Sequence, residues 1–247
     1  MSKLSKSNKI FIGLVILFAI LASLNLFLPQ GDFTPKNEIP VSKPILAVIN
    51  FLTGIIIYGG LGLLGIKLSK KLEIADIWDK RVTNRQRFLK PLLTGIFSGI
   101  LLIIGDWVFA NFHDFGRLPH PPFPASLVAS AAAGIGEEII FRLFFISFWV
   151  WLISKVLFRG NYEKRIFWIV SVISALAFAF AHLPATMILF GFESVTQIPA
   201  MLFTEIIVLN GIVSILAAIG FRKYGFLAAA GIHFWTDVVW HVIWGLL

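Results

Sequence analysis

Glu137, Glu138 and Arg142 lie inside a run from Ala125 to Phe158 whose only other charge is Lys155. A charge at bilayer depth costs about 2.5–3.5 kcal/mol on insertion scales, so three together need a reason. On a helix, Glu138 and Arg142 are i, i+4 neighbours and can pair. Glu137 points about 100° away and has no partner on its own helix. One carboxylate is thus held and the other left available. Packing alone could explain a buried ion pair, so the chemistry rests on what else reaches the same depth. His182 closes the run Phe178-Ala179-Phe180-Ala181-His182, and His233 and Asp237 share a helix face at i, i+4. A carboxylate near neutral pH can take a proton from water, and a neutral histidine can pass one on. Two histidines and a carboxylate could instead hold a zinc ion. Either chemistry is suited to water attack on a carbonyl.

The elements that must position these groups are membrane helices. The 247 residues are 58% hydrophobic and 14% charged, and mean hydropathy is +0.88. Soluble domains are nearer half apolar and a quarter charged. The apolar residues come in blocks of about 20, the length that crosses a bilayer. The predicted fold is therefore an all-α polytopic bundle of about seven transmembrane helices, forming a single integral membrane domain over residues 1–247.

The formal charge of +8 does not point to nucleic acid. Lysine and arginine cluster in short loops, as topology signals and anionic-lipid contacts do. With no cysteine in the chain, disulfides, thiolate metal sites and a cysteine nucleophile are excluded. The first apolar block is too long for a signal-peptide core and reads as a retained anchor.

The predicted helices run from Ile10 to Leu28, Ile45 to Leu68, Leu92 to Phe112, Ala125 to Phe158, Ile166 to His182, Ala200 to Phe221, and Phe226 to the C-terminus. Pro29–Pro44 reads as a turn-rich loop, and Leu183–Pro199 as a loop apolar enough to dip into the membrane surface. Ser69–Pro91 is the most basic segment. It reads either as a surface amphipathic helix carrying Leu72, Ile77 and Trp78, with Ile74 off their face, or as a solvated loop. The fourth block would be about 51 Å as one helix, longer than a 30 Å core, so it must tilt, protrude or break, with Gly134 and Gly136 the expected place. Its first half is mostly Ala, Ser and Gly, the composition that lets membrane helices approach closely. The N-terminal tail, Ser69–Pro91, Arg159–Arg165 and Arg222–Lys223 are basic and fall on one side of a seven-helix layout. The positive-inside rule makes that side cytoplasmic, with the N-terminus inside and the C-terminus outside. Rise counting puts Glu137, His233 and Asp237 near mid-bilayer and His182 nearer the outside. Asp106, Glu205 and Asn210 read as packing or interfacial groups. His241 is left out of the site because it lies near the outer end, and His113 and His120 belong to a loop.

Glu137-Glu138-x-x-x-Arg142, Phe178-x-x-x-His182 and His233-x-x-x-Asp237 resemble, in order and helix placement, the successive motifs of the CAAX-protease and bacteriocin-processing family. These intramembrane endopeptidases are also called Abi proteins. The resemblance covers about residues 125–247, which would be the protease-like core. It implies that Glu137 activates the attacking water with help from His182, that His233 and Asp237 stabilise the oxyanion or complete a metal site, and that Glu138 and Arg142 support them. The family's last motif often ends in Asn. An Asp cannot donate to an oxyanion unless protonated, so Asp237 is expected as a metal ligand or as the partner of His233. Zinc, held by Glu137, His182, His233 and Asp237, stays open as a cofactor because the spacing is not HExxH. The expected substrate is a peptide precursor or protein segment in or at the membrane, and the expected location a bacterial plasma membrane. A proton-coupled transporter and a non-catalytic immunity protein of the same fold are the competing functions. The first lacks the paired interrupted helices of transporter halves.

Overall fold

The computed structural model describes residues 4–34 and 40–247. The predicted loop Pro29–Pro44 falls outside the described residues at 35–39, and the basic tail at 1–3. The described chain is all helix, turn and loop with no strand. We label the helices α1 Lys6–Phe27, α2 Lys43–Lys71, α3 Arg85–Phe109, α4 Ala125–Leu157, α5 Glu163–Phe180, α6 Leu183–Phe190, α7 Ala200–Tyr224 and α8 Phe226–Leu246. With α5 and α6 counted as one span, seven helices are long and apolar enough to cross a membrane. The chain is an integral membrane protein, as its composition required.

The last helix is the centre of the bundle. In its most apolar stretch 56% of α8 is buried, against 22% of α1 and 17% of α2. It packs on α3, α4 and α7, while α1 and α2 pack on α4. Lipid tails are as apolar as leucine, so close approach rather than water exclusion joins such helices. The glycines of α4 show this. A side chain on Gly136 would run into the Phe18 ring of α1, and one on Gly134 would press on Phe234 and the Ala230 carbonyl of α8. Of the tilt, protrusion or break that the length of this block left open, these glycines do not supply a break. α4 continues unbroken for 33 residues, and its turns widen only after the paired carboxylates, over Ile139–Ile146 and Trp151–Leu157. Gly225, at φ +83, is the single residue linking α7 to α8. That left-handed backbone favours glycine, and the Ala75 carbonyl leaves no room for a Cβ.

The basic segments meet at one end. Lys6 and Arg87 stack on Trp78 from 3.7 and 4.0 Å, Lys90 bonds the Tyr224 hydroxyl at 2.8 Å, and Lys155 and Arg222 both reach Glu163. Segment 69–91 is not a surface helix. It turns back on the bundle, burying Leu72, Ile74 and Ile77. Ile74 fits because a turn, unlike a helix, need not keep one face. At the opposite end the predicted loop Leu183–Pro199 is partly helical. Pro184 sits in the first turn of α6, where its missing N–H costs nothing, and Gly191 at φ +75 ends the helix.

Candidate active site

α4 places Glu137 and Glu138 on different faces, and the two have different surroundings. Glu138 is fully buried. Its Oε1 lies 2.9 Å from Arg142 Nη1 on the next turn and accepts from His233 Nδ1 at 2.8 Å across the bundle. The Arg142 contact is close in distance but off the line of its N–H bonds, since all three guanidinium nitrogens lack a hydrogen-bond partner. We read it as charge pairing, completed by the Phe178 ring 4.8 Å from the guanidinium carbon. The side chain of Glu137 is 36% exposed, and its Oε2 has no hydrogen-bond partner.

α8 brings His233 between the two carboxylates. A carboxylate beside Nδ1 makes that nitrogen the donor, which turns Nε2 toward Glu137 Oε2 at 3.9 Å and Asp237 Oδ2 at 3.5 Å. Both gaps exceed an ordinary hydrogen bond. His182 lies in the turn after α5, where its Nδ1 is 2.8 Å from the Phe178 carbonyl. A carbonyl only accepts, so Nδ1 carries the proton and Nε2 keeps a lone pair.

Glu137, His182, His233 and Asp237 all line one cavity of about 360 Å³. The turn at residues 181–182 between α5 and α6 puts His182 on this wall despite its height along the helix. The remaining wall is largely apolar, including Leu102, Leu189, Ile206, Leu209 and Val213. Glu138 and Arg142 stand behind the wall. Sequence reasoning passed over His241 and Asn210, which also line the cavity. His241 had a signal, since it continues the face of His233 and Asp237 by one more turn. Nothing distinguished Asn210, whose Nδ2 is occupied by the Ile206 carbonyl at 2.8 Å.

Among the described residues, no three His, Asp or Glu side chains converge as a ligand set for a metal ion. As placed, these residues do not fit zinc, and no step below is routed through it.

Asp106, Glu205 and His113 form a second buried cluster. His113 Nε2 bonds Glu205 Oε2 at 2.7 Å, and Asp106 Oδ1 accepts the Leu118 N–H at 2.8 Å. The sequence reading of Asp106 and Glu205 as packing groups agrees with this: the cluster ties α3 and α7 to the loop between α3 and α4. In that loop, burial and then nearby Arg117 push His120 down to about 4. Its Nδ1 lies 3.2 Å from that of His241.

A helical membrane bundle holding a carboxylate–histidine cluster on an apolar cavity defines the class of this protein. Residues 119–239 match the family described as type II CAAX prenyl endopeptidase Rce1-like, the CAAX-protease family that the three motifs resemble. The match spans all six residues singled out above. No curated protein and no solved structure matches the chain.

Proposed function

We propose that the protein is an intramembrane endopeptidase that hydrolyses a peptide bond with water activated by Glu137. The observation that carries this is the unequal treatment of the two adjacent carboxylates: Glu138 is fully buried against Arg142 and His233, while the side chain of Glu137 is 36% exposed and lines the cavity. Glu137 takes a proton from water as the oxygen adds to the scissile carbonyl, then returns it to the departing amine as the C–N bond breaks. His182 Nε2 assists in holding that water. His233, its Nδ1–H held by Glu138, donates to the developing oxyanion from a protonated Nε2, and Asp237 stabilises the imidazolium charge. Asp237 is the partner of His233 rather than an oxyanion donor, which suits a carboxylate where the family often has an amide.

The apolar wall suits a peptide or protein segment held at membrane depth. A proton relay would also gather acids and histidines, but it requires continuity to both faces. The cavity takes lining from none of the four basic segments at the cytoplasmic end.

The test is comparative peptidomics of membranes that differ only in carrying wild-type protein or Glu137→Gln. Fragments present with the wild type and lost with the variant support hydrolysis. Identical peptide sets would remove the peptidase reading. Elemental analysis of purified active protein addresses zinc separately. Turnover that vanishes with a chelator and returns with zinc assigns a metal, and turnover in metal-free protein assigns the water to Glu137 and the histidines.

A further inference from the structure

The two ends of the bundle differ in charge and in packing. The four basic segments are joined at one end by the Lys6–Trp78, Lys90–Tyr224 and Arg222–Glu163 contacts. Of the 21 lysines and arginines in the chain, only Lys36, Lys43, Arg117 and the intramembrane Arg142 lie away from that end in the sequence layout. Such a bias sets orientation strongly, because short loops rich in lysine and arginine stay cytoplasmic. The cavity extends toward the other end. Beyond Glu137 and the histidines, its walls are completed by Phe33 from the turn after α1, by Leu118, Pro119 and Pro121 from the loop before α4, and by Ala185 and Leu189 from α6. On this rim Ala185 is exposed and Pro119 and Pro121 are half-buried. At the cytoplasmic end the floor is closed by packing: Leu72, Ile74 and Ile77 belong to the same core as Phe221 and Phe226.

We infer that the site is entered from the extracytoplasmic face, and that its substrate is an exported peptide or the extracytoplasmic flank of a membrane protein, with apolar residues beside the scissile bond. This rests on the peptidase reading for the word substrate, but the route of access stands on geometry and charge alone. The apolar flanks follow from the wall. Leu102, Leu189, Ile206, Leu209 and Val213 offer dispersion contacts and no partner for a charge. A cytoplasmic protein with a prenylated C-terminus would meet the closed floor instead.

The chain has no cysteine, so single cysteines report accessibility without background. Three variants suffice: Ala185→Cys on the rim, Thr196→Cys in the exposed loop between α6 and α7, and Lys80→Cys in the basic end. Cells making each are treated with a membrane-impermeant maleimide before and after permeabilisation. Label on Ala185→Cys and Thr196→Cys in intact cells, with Lys80→Cys labelled only after permeabilisation, is the expected result. Label on Ala185→Cys only after permeabilisation overturns the proposal. So does Ala185→Cys that stays unlabelled under both conditions while Thr196→Cys reacts, because the rim would then be shut. The peptide fragments that depend on Glu137 supply the substrate arm. They should map to exported sequences, and fragments from cytoplasmic C-termini would overturn the assignment. Expected labelling with no Glu137-dependent fragments would sink the peptidase reading and leave the route of access intact.

Discussion

The bundle buries two clusters in which carboxylates surround a histidine, and they differ in what the acids can reach. Around His113, Asp106 and Glu205 are fully buried and grip a loop, one through the Leu118 N–H and the other through the imidazole. Around His233, Glu138 plays the same gripping role, but Glu137 and Asp237 stand on a cavity wall with the second nitrogen of the imidazole between them. Intramembrane ionisable groups are therefore not equivalent evidence for catalysis. What separates a clasp from a reaction centre here is a carboxylate standing on a space that a substrate could fill.

The comparison breaks first at Glu137. Glu137→Gln keeps size and a polar amide but removes the base. It should leave the protein folded and lower turnover by about 10²–10⁴, the usual worth of a general base. Turnover per folded molecule, measured on detergent-solubilised protein with a peptide recovered from the peptidomics, decides it, and full activity would end the assignment. Glu138→Gln next leaves Arg142 buried without its counter-charge, which costs about 3–5 kcal/mol when a buried pair is broken. Abundance or melting temperature should fall further than for Glu137→Gln. Part of the activity should also be lost, because a neutral amide oxygen holds the His233 Nδ1–H less strongly than the carboxylate that orients its ring. Equal melting temperatures for the two variants would contradict the distinction between them.

That distinction was half legible in the sequence. Spacing of four residues on a helix put Glu138 beside Arg142, and His233 on the face of Asp237, because both relations are local and set by helix pitch. The apolar blocks likewise marked seven spans, since bilayer thickness fixes their length. What the sequence could not carry was non-local. Glu138 meets His233 across 95 positions, and that contact depends on how α4 and α8 pack. The same holds for His113 with Glu205, one from a loop and one from a helix. Gly134 and Gly136 could be read both ways, because a glycine that permits close packing and one that bends a helix look identical in one dimension. Their partners, Phe18 on α1 and Phe234 on α8, exist only in three. His241 was set aside on height alone, although the face it shares with His233 and Asp237 was visible.

A smaller effect tests the other side of the comparison. Glu205→Ala removes the acceptor of His113 and leaves a buried imidazole N–H unpaired. Orphaning a buried polar group costs about 1–3 kcal/mol. Thermal melting should fall by that equivalent while turnover per folded molecule stays at the wild-type value. A large loss of turnover without loss of stability would make this cluster part of the chemistry and erase the contrast.

The smallest effect concerns pH, and it comes from the loop that lies between the two clusters. Burial, helped by Arg117, holds the folded His120 down at about 4, against about 6.5 for an unfolded histidine. Between those values the unfolded chain binds a proton that the folded chain does not, so stability rises with pH. The contribution is complete above about pH 6.5 and is lost progressively as pH falls toward 4. His120 keeps some solvent access, so the full shift does not convert to stability. An effect on the order of 1 kcal/mol, or a few degrees in melting temperature, is expected. Carboxylates elsewhere titrate over part of the same window, which makes the difference between wild type and His120→Gln the quantity to measure. Melting temperature recorded from pH 4.5 to 7.5 should rise more steeply for the wild type than for His120→Gln. Parallel curves would mean that His120 is free to take up its proton, and that its contact with His241 does not hold the loop against α8.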